Sequence, residues 1–481
     1  MSSTSILKSN PDACPLAKKC GGCQLQNMTY PRQLKWKQAR AEILLKKFGR
    51  VDKITGMENP VHYRNKVQAA FGTTKGGKVI SGVYQSGTHR IVNVDSCMTE
   101  DETADKIIVD IRNLLPKMKI PVYNEDRHTG FLRHVLVKRA FATDEVMVVL
   151  VAASPVFPAK KYFVKEITSL HPEIETIVLS INADDTSLVL GDREEILFGN
   201  GYITDVLCGL SFRISPKSFY QINPVQTEKL YNKAMELADL HKNSTVIDAY
   251  CGTGTIALVA AKTAEKVIGV ELNPAAVRDA RVNAKINAIT SARFYCDDAG
   301  DFMSEIADEG EKVDVVFMDP PRSGSSRKFL SSLIKLKPER VIYISCNPET
   351  LARDLNILTK CYSVKAICPV DMFPHTNHVE TVVLLVRYMS TDNHVTFEVK
   401  PDELDLGNLN VSGTYEQIKS YVFDKYGLKV STLYIAQVKK KCGLDVGQAY
   451  MKPKNPDSRV PQCPPEKEKA IKNALIHFGM I

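Results

Sequence analysis

A cysteine at the junction of a strand and a helix is the residue in this sequence best suited to nucleophilic chemistry. The apolar run 341–344 predicts a buried strand, and Cys346 follows it after one serine. Asn347 and Pro348 then favour a helix N-cap and a first helical position. Ligands collect at the carboxyl ends of strands in open α/β sheets, and a helix amino end lowers the pKa of a thiol. A buried structural cysteine is the alternative interpretation.

A carboxylate at the mouth of another apolar run could serve as a base. Glu380 comes directly before the run TVVLLV at 381–386. A carboxylate buried at the end of a strand is costly unless it is paired or takes part in chemistry. We therefore predict that Glu380 is a general base that acts together with Cys346.

A glycine-rich turn between a predicted strand and a predicted helix indicates a cofactor site. In TVIDAYCGTGTIALVAA, Gly252 and Gly254 allow a tight turn and a close approach of the backbone to a ligand. Glu271 ends the next apolar run, where a carboxylate can accept both hydroxyls of an adenosine ribose. The pattern suits NAD or S-adenosylmethionine. The third glycine of the dinucleotide fingerprint is missing and an acidic strand end suits a sulfonium, so we favour S-adenosylmethionine.

Two aspartates follow two further predicted strands of this half. Asp298 comes after ARFYC, and we expect it to hold the amino group of an adenine. Asp319 opens the loop DPPRSG after VVFM, and we expect it to face the cofactor crevice. In the same loop, Arg322 could hold a phosphate.

A thiolate, a carboxylate and a methyl donor together match the methylation of carbon 5 of uracil. Carbon 5 is a weak nucleophile, and addition of a thiolate to carbon 6 makes it enolate-like, so that it can attack a sulfonium methyl group. A base then removes the proton from carbon 5 and the thiolate leaves. Cys346 fits the nucleophile and Glu380 fits the base. Methylation of an adenine nitrogen needs no thiol, and RNA cytosine-5 enzymes place their cysteine in a different strand context.

Three cysteines near the beginning of the chain predict a metal or cluster site. Cys14, Cys20 and Cys23 form the pattern C-x5-C-x2-C, and Cys97 is the next cysteine along the chain. Four thiolates suit a zinc ion or an iron–sulfur cluster. Zinc sites usually pair two C-x2-C knuckles, and only one is present here. We therefore favour a 4Fe–4S cluster.

The elements that must position these residues fall into three regions, and the predicted fold class is α/β. Residues 1–205 predict an antiparallel β domain for the iron–sulfur cluster and RNA, with a basic helix near 31–48 and strand pairs that include TIVLSIN with SLVLG. Residues 206–390 alternate strands and helices, which predicts a Rossmann-like S-adenosylmethionine-dependent methyltransferase domain. Residues 391–481 predict a strand and linker over 391–410 and then a basic, helix-turn-helix-like extension.

The motifs DPPRSG, IYISCNPET and DMFPHTNHVE occur in an order that resembles the RNA uracil-5-methyltransferase family, over roughly residues 12–390. The resemblance implies Cys346 as nucleophile and Glu380 as base. It implies cofactor contacts at Gln221, Tyr250, Glu271, Asp298 and Asp319. The early cysteines resemble the branch of the family that carries a 4Fe–4S cluster and acts on 23S rRNA, which implies cluster ligands at Cys14, Cys20, Cys23 and Cys97.

Two departures from that branch concern RNA recognition. Its members usually begin with a small β-barrel RNA-binding domain, whereas thirteen residues precede Cys14 here, so we expect that domain to be absent. The chain also carries about 90 residues beyond the family core. Residues 415–481 contain twelve Lys or Arg against six Asp or Glu, out of a net charge of +8 for the chain. We hypothesise that this basic tail binds RNA in place of the barrel.

The expected partner is therefore 23S rRNA or a precursor ribosomal particle, and no protein partner is evident. The tRNA T-loop is the alternative substrate, and a non-catalytic RNA-binding or assembly factor is the alternative from another class. The sequence has no apolar run of membrane-spanning length and no signal-peptide pattern at its start, so we expect no membrane association and a cytoplasmic location.

Overall fold

The structure is a computed structural model that describes residues 13–85, 87–184, 188–388, 415–442, 444, 463–477 and 480. The contacts divide the chain into two compact units, Met1–Ser390 and Thr391–Ile481. The predicted strand and linker over 391–410 lie outside the described residues. The boundary that we predict near residue 205 falls inside the first unit, so it stays a prediction.

A seven-stranded sheet with two helices forms the first part of Met1–Ser390. Its strands are β1 (Lys66–Thr73), β2 (Val79–Tyr84), β3 (Ile91–Asn93), β4 (Leu132–Arg139), β5 (Val146–Ala152), β6 (Ile174–Ile181) and β7 (Arg193–Phe198), in the order β3-β2-β1-β4-β5-β6-β7. The apolar faces of helices α3 (Glu102–Lys117) and α4 (Lys160–Leu170) share a core with this sheet. The other face of β4–β6 contributes Leu136, Met147, Val149 and Val178 to a core shared with the second half of the unit.

The predicted antiparallel pairing is confirmed for five of the six described strand pairs of this sheet, whereas the predicted strand at SLVLG is wrong. β5 and β6 pair in parallel. Helix α4 lies between them in the chain and returns it to the edge of the sheet at which β5 begins, so β6 runs in the same direction. The stretch that includes residues 188–191 is not a strand. There the side chain of Asn182 donates to the carbonyl oxygens of Leu188 (2.7 Å) and Val189 (3.0 Å), so a side chain uses the groups that a strand partner would use. β7 pairs with β6 instead.

A second seven-stranded sheet follows, after the hairpin of β8 (Ile203–Leu207) and β9 (Leu210–Ile214). Its strands are β10 (Thr245–Ala249), β11 (Lys266–Glu271), β12 (Ala292–Cys296), β13 (Val315–Met318), β14 (Arg340–Ser345), β15 (Tyr362–Val370) and β16 (Glu380–Arg387). The order is β12-β11-β10-β13-β14-β16-β15. The first five strands run parallel, and β16 is antiparallel to both of its neighbours. This confirms the predicted α/β, Rossmann-like architecture.

One helix precedes β10 and five helices connect the strands of this sheet, which follows the predicted alternation. They are α5 (Pro224–Ala238), α6 (Thr255–Ala260), α7 (Pro274–Ile286), α8 (Ala299–Asp308), α9 (Arg327–Leu336) and α10 (Pro348–Leu358). Asn347 caps α10 as predicted, because its side-chain oxygen accepts the backbone N–H of Glu349 at 3.1 Å and Pro348 is the first helical residue. None of the described helices combines the length and the apolarity that crossing a membrane requires.

The predicted basic helix near residues 31–48 is present, and it follows the short helix α1 (Ala17–Cys20). It spans Tyr30–Leu45 (α2) and packs against α10 and β15 of the second sheet. Its buried stripe contains Gln33 and Lys37 beside Ala41 and Leu45. The Lys37 ammonium donates to Asp371 Oδ1 at 2.5 Å and to the Phe373 carbonyl at 2.9 Å. Lys37 therefore lies inside the protein, although its helix is basic.

Three helices with their own apolar core form the described part of Thr391–Ile481. They are α11 (Tyr415–Tyr426), α12 (Thr432–Lys441) and α13 (Pro465–His477). Gly427, at φ 67°, follows α11, and Ser431 caps α12, as the sequence predicts. The core is apolar throughout and contains Ile418, Val422, Ile435, Val438, Cys463, Ala470, Ile471, Ala474 and Leu475. Most of the proline-rich stretch before α13 lies outside the described residues.

Removal of the Lys37 charge is expected to destabilise the chain strongly. The side chains of Lys37 and Asp371 are both 0% exposed, so Lys37→Met leaves a buried carboxylate without its partner. Breaking such a pair costs about 3–5 kcal/mol, whereas replacing both members by apolar residues is often neutral. We therefore expect Lys37→Met/Asp371→Leu to recover most of the loss in a denaturant-unfolding measurement. Lys35→Met, at an exposed position of α2, is the matched control, and an equal effect there would contradict the interpretation.

Candidate active site

The predicted site residues gather at one edge of the second sheet. β10, β11, β13 and β14 are parallel, so their carboxyl ends meet there. β16 runs the other way and therefore begins at the same edge. Ser345 pairs with Thr381 across β14 and β16, which puts Cys346 and Glu380 at the ends of adjacent strands. The sheet order thus brings Cys346 and Glu380 close together, which the sequence alone could only suggest.

Cys346 lies half-buried in the turn between β14 and α10. The Ser345 hydroxyl donates to the Asn347 carbonyl at 3.0 Å and accepts the Asn347 N–H at 3.2 Å, which fixes the turn around the cysteine. Burial raises the pKa of the Cys346 thiol to about 11, and the carboxyl groups of Glu380 and Asp319 add to the rise. The sequence predicted a lowered pKa from the helix amino end. That direction is wrong, because burial and two carboxylates outweigh the helix end and the nearby Arg322.

Glu380 is a buried carboxyl group, 6% exposed, at the first position of β16. Burial raises its pKa to about 8, and Asp319 adds to the rise, while Arg322 and Lys37 oppose it. Burial also raises the pKa of Asp319 to about 7. Two carboxyl groups with raised pKa values therefore lie in one crevice with a thiol; Asp319 raises the pKa of Glu380, and both raise that of Cys346.

The DPPRSG loop is tied to the turn that carries Cys346. The carbonyl of Arg322 accepts from Asn347 Nδ2 at 3.2 Å and from the Thr350 hydroxyl at 3.3 Å. The exposed Arg322 guanidinium lies 3.3 Å from His378 Nε2. Burial and then Arg322 lower the pKa of His378 to about 4, which leaves the ring neutral and able to accept this hydrogen bond. The predicted phosphate contact of Arg322 stays a prediction.

The loop that leads into Glu380, residues 371–379, is held by hydrogen bonds from three distant parts of the chain. From α2, Gln33 accepts the His375 N–H at 2.9 Å, in addition to the Lys37 contacts described above. The Tyr63 hydroxyl donates to the Pro374 carbonyl at 2.9 Å. From α5, Asn223 Nδ2 donates to the Met372 carbonyl at 2.9 Å. These contacts fix the course of the loop and hence the position of Glu380.

Gln33 and Lys37 were missed by the sequence analysis. The only available signal was two polar residues four positions apart on the face of α2 that also carries Ala41 and Leu45. Their partners lie more than 300 positions later in the chain, at Asp371 and His375. A separation of this size leaves no local pattern that pairs the two segments.

The glycine-rich turn after β10 has the close, left-handed backbone that a cofactor cradle needs. Tyr250, Gly252 and Gly254 have φ values of 66°, 55° and 82°. Glu271 Oε2 accepts the Gly252 N–H at 3.1 Å, and Oε1 accepts the Asn273 N–H at 2.8 Å. Each carboxylate oxygen has a second acceptor position, so Glu271 keeps capacity for a ligand hydroxyl.

Tyr250, Gln221 and Asp298 lie around this turn, and their predicted cofactor contacts stay predictions. The Tyr250 ring packs against Phe329 with centroids 5.2 Å apart. Gln221 precedes α5, and its carbonyl accepts from Asn65 Nδ2 at 3.2 Å. Asp298 lies two positions beyond the end of β12 and is exposed. Its Oδ1 caps α8 by accepting the N–H groups of residues 300 and 301 at 2.9 and 3.1 Å.

The four predicted cluster cysteines line one small cavity. Cys14, Cys20 and Cys23 surround it together with Cys97, which the fold brings in from the segment between β3 and α3. Burial raises the pKa of Cys23 to about 11 and that of Cys97 to about 12. Among the residues that the structure describes, no three His, Cys, Asp or Glu side chains are arranged as ligands of a metal ion. The 4Fe–4S cluster therefore stays a prediction.

Strand order and acidic strand ends around a glycine-rich turn define a Rossmann-like methyltransferase. A family model described as tRNA (uracil-5-)-methyltransferase matches residues 29–388. The chain belongs to this family of RNA uracil-5-methyltransferases, and it is an enzyme of that activity.

Relatives and a solved structure agree with this assignment. An uncharacterized RNA methyltransferase of Oceanobacillus iheyensis is 45% identical over 378 residues, which cover 77% of this chain and 82% of that one. One of Bacillus cereus is 43% identical over 380 residues, with 78% and 82% covered. The crystal structure of Pyrococcus abyssi tRNA (uracil-54, C5)-methyltransferase in complex with S-adenosyl-L-homocysteine is 30% identical, with a TM-score of 0.64. The match covers 76% of this chain and 86% of the Pyrococcus abyssi chain.

Glu380→Gln is expected to change how stability depends on pH. The pKa of Glu380 is raised from 4.5 to about 8, so the stability that its protonated form contributes is complete below about pH 4.5 and is lost as the pH rises through about 8. The variant removes this loss, so its stability relative to the parent chain should be about 5 kcal/mol more favourable at pH 9 than at pH 4.

Thermal or denaturant unfolding at the two pH values measures this difference. Glu309→Gln removes an exposed carboxylate and serves as the control for a general charge effect. A pH dependence of Glu380→Gln equal to that of Glu309→Gln would show that Glu380 titrates as an ordinary surface group.

Proposed function

We propose that this chain methylates carbon 5 of a uridine in 23S rRNA, with S-adenosylmethionine as the methyl donor, Cys346 as the nucleophile and Glu380 as the base. The observation that carries the proposal is the placement of these two residues at the ends of adjacent strands, β14 and β16. A thiol and a buried carboxyl group, side by side at the ligand-binding edge of a methyltransferase sheet, are the two protein groups that this reaction needs.

In the proposed mechanism, Cys346 and Glu380 act in sequence on one pyrimidine ring. Cys346 reacts as the thiolate, after its thiol proton has passed to solvent. Its sulfur forms a bond to carbon 6, and the electron pair of the 5,6 double bond moves toward carbon 5. Bound S-adenosylmethionine supplies the methyl group that carbon 5 receives. Glu380 then takes the proton from carbon 5, the 5,6 double bond forms again, and the Cys346 sulfur leaves with the electrons of its bond to carbon 6. The raised pKa of Glu380 makes its ionised form a stronger base than an ordinary glutamate.

The concentration of buried carboxyl groups around the crevice supports a cationic cofactor. Asp248 is fully buried at the end of β10, and its Oδ1 has no hydrogen-bond partner among the described residues. Burial raises its pKa, and the charges of Asp319 and Glu271 add to the rise. Carboxyl groups with uncompensated charge around a glycine-rich turn fit a sulfonium group, which would lower these pKa values again. Gln221, Tyr250, Glu271, Asp298 and Asp319 are the proposed contacts.

The donor set of Cys14, Cys20, Cys23 and Cys97, four thiols without a carboxylate or histidine, suits a thiolate-bound metal site, and the single C-x2-C knuckle supports a 4Fe–4S cluster over zinc. Its proposed role is structural, because the reaction above needs no electron transfer. The segment after Cys23 reaches the loop before Glu380, where the Leu25 N–H donates to the His375 carbonyl at 2.9 Å. The Asn377 N–H donates to Gln24 Oε1 at 3.3 Å. A cluster that fixes Cys23 would therefore also steady this loop.

A T-loop uridine of tRNA is the second candidate substrate. The similarity to a tRNA enzyme of Pyrococcus abyssi favours it. The resemblance of the cysteine pattern to the cluster-bearing 23S rRNA branch favours rRNA. In the proposed division of labour, residues 1–205 bind RNA and the cluster, 206–390 catalyse the reaction, and 391–481 add a further basic element.

Methyl transfer to undermodified RNA tests the proposed substrate and nucleophile together. With labelled S-adenosylmethionine, we expect 5-methyluridine in 23S rRNA and none in tRNA, located by nuclease mapping. Cys346→Ala should lower the rate by about a thousandfold or more while cofactor binding persists. Cys361→Ala changes a half-buried cysteine at the opposite edge of the sheet and should leave the rate unchanged. Label confined to tRNA would overturn the proposed substrate, and turnover by Cys346→Ala would overturn the mechanism.

Iron analysis of anaerobically purified protein tests the proposed cluster. We expect about four iron atoms per chain and the broad visible absorbance of an iron–sulfur cluster. Cys97→Ala should lose most of the iron, because it removes one of four thiolate ligands, whereas Cys361→Ala should retain it. Stoichiometric zinc without iron, or full iron occupancy in Cys97→Ala, would contradict the assignment.

A further inference from the structure

Lysines and aromatic rings form a continuous surface on the C-terminal unit. Phe423 is 50% exposed and Tyr426 is 37% exposed, near the end of α11. Lysines accompany these rings along α11 and on the neighbouring elements. We call this surface the lysine–aromatic patch and define it as Phe423, Lys425, Tyr426, Lys429, Tyr434 and Lys467.

Short contacts hold the members of the patch together. The ammonium of Lys425 lies 5.8 Å from the centroid of the Tyr426 ring, and that of Lys429 lies 6.0 Å from the centroid of Phe423. Lys467 of α13 donates to the Lys429 carbonyl at 2.8 Å. Its ammonium also lies 6.0 Å from the centroid of the Tyr434 ring. Cations and rings are thus interleaved over the end of α11, the following turn and the starts of α12 and α13.

The exposed rings are not left over from an incomplete core. The three helices share an apolar core in which Ile418, Val422 and Ile471 are fully buried, although Leu433 and Ile476 are exposed like Phe423. The two ion pairs that the structure describes in this unit join Glu468 to Lys441 and to Lys472, none of which belongs to the patch. The cations of the patch lie over rings instead, in a region with twelve Lys or Arg against six Asp or Glu.

We propose that the lysine–aromatic patch binds a single-stranded segment of RNA, with bases stacked on Phe423 and Tyr426 and phosphates against Lys425 and Lys429. Binding of single-stranded nucleic acid combines aromatic platforms with cations that follow the backbone, and any base can stack because each has a π-face. RNA fits the charge of the region and is the substrate class of the family. The proposal goes beyond the proposed function, because it assigns RNA binding to a surface that takes no part in the chemistry.

Binding of a fluorescein-labelled, unstructured 20-nucleotide RNA by the full chain tests the proposal, with fluorescence anisotropy over a range of salt concentrations. The probe lacks any methylation target, and the difference between patch and control variants reports on the patch even if the proposed modification of 23S rRNA is wrong. Lys425→Ala/Lys429→Ala removes two exposed charges of the patch. Lys441→Ala/Lys472→Ala removes the same charge from the side that pairs with Glu468 and is the matched control.

We expect Lys425→Ala/Lys429→Ala to bind the probe about tenfold more weakly at low salt. It should also have a salt dependence shallower by about 1.4 in log–log slope, as loss of two phosphate contacts to a single strand predicts. The control should stay within twofold of the parent chain. Patch and control variants with equal affinities and slopes would overturn the proposal.

The variant Phe423→Leu distinguishes stacking of a base on the Phe423 ring from use of this side chain as an apolar contact for a protein. Leucine keeps an apolar side chain of similar size but lacks a π-face, so stacking predicts about a tenfold loss of affinity for the probe. Unchanged affinity of Phe423→Leu would overturn the stacking assignment. Phe423 is half exposed, so the fold should persist, and thermal unfolding of each variant verifies this.

Discussion

The buried ion pair between Lys37 and Asp371 is the interaction on which the arrangement of the active site depends. It joins an N-terminal helix to a loop more than 300 positions later, with both side chains fully buried. That loop leads into Glu380, so the pair helps decide where the carboxyl group lies relative to Cys346. Apolar residues could fill the same space at similar stability, but they would not fix one register of the loop with a directional contact. The pair is therefore better understood as setting geometry than as adding stability.

The same site concentrates negative charge at a cost in stability. Asp248, Asp319 and Glu380 approach one crevice from three strands, and burial raises the pKa of each. The positive charges of Arg322 and Lys37 oppose part of the rise in the pKa of Glu380. The crevice is consequently suited to a cationic cofactor, whose sulfonium charge would complete the balance. Glu380 and Cys346 both have raised pKa values. Binding of a cationic cofactor in the crevice would therefore favour the ionised form of each group.

Those parts of the site that depend on local pattern could be predicted from the sequence. The apolar run before Cys346, with Asn347 and Pro348 after it, predicted a strand, a cap and a helix that the structure confirms. The same reasoning located Glu271 at the end of β11 and the helices of the C-terminal unit from their glycine and serine boundaries. These features need only the residues on either side of them, so no knowledge of the tertiary fold was required.

Features that depend on distant residues could not be predicted in this way. The direction of the Cys346 pKa was wrong because burial in the complete fold, and then Glu380 and Asp319 from two other strands, raise it. The SLVLG strand was wrong because Asn182 occupies the carbonyls that a partner strand would need. Burial of Lys37 was missed because its partner is brought to it only by the complete fold. For Cys346 and Lys37 the tertiary fold overrode a reasonable local preference, whereas at SLVLG a side chain only six and seven positions away did so.

The most direct measurement of the central claim, that Cys346 and Glu380 are nucleophile and base of one reaction, is isolation of a covalent protein–RNA adduct from Glu380→Gln. The variant retains the thiol but lacks the group that removes the proton from carbon 5. With ordinary substrate RNA and labelled S-adenosylmethionine, the account predicts an adduct that carries both RNA and label and maps to the peptide containing Cys346. Release of methylated RNA at the parental rate, or an adduct at another residue, would contradict it.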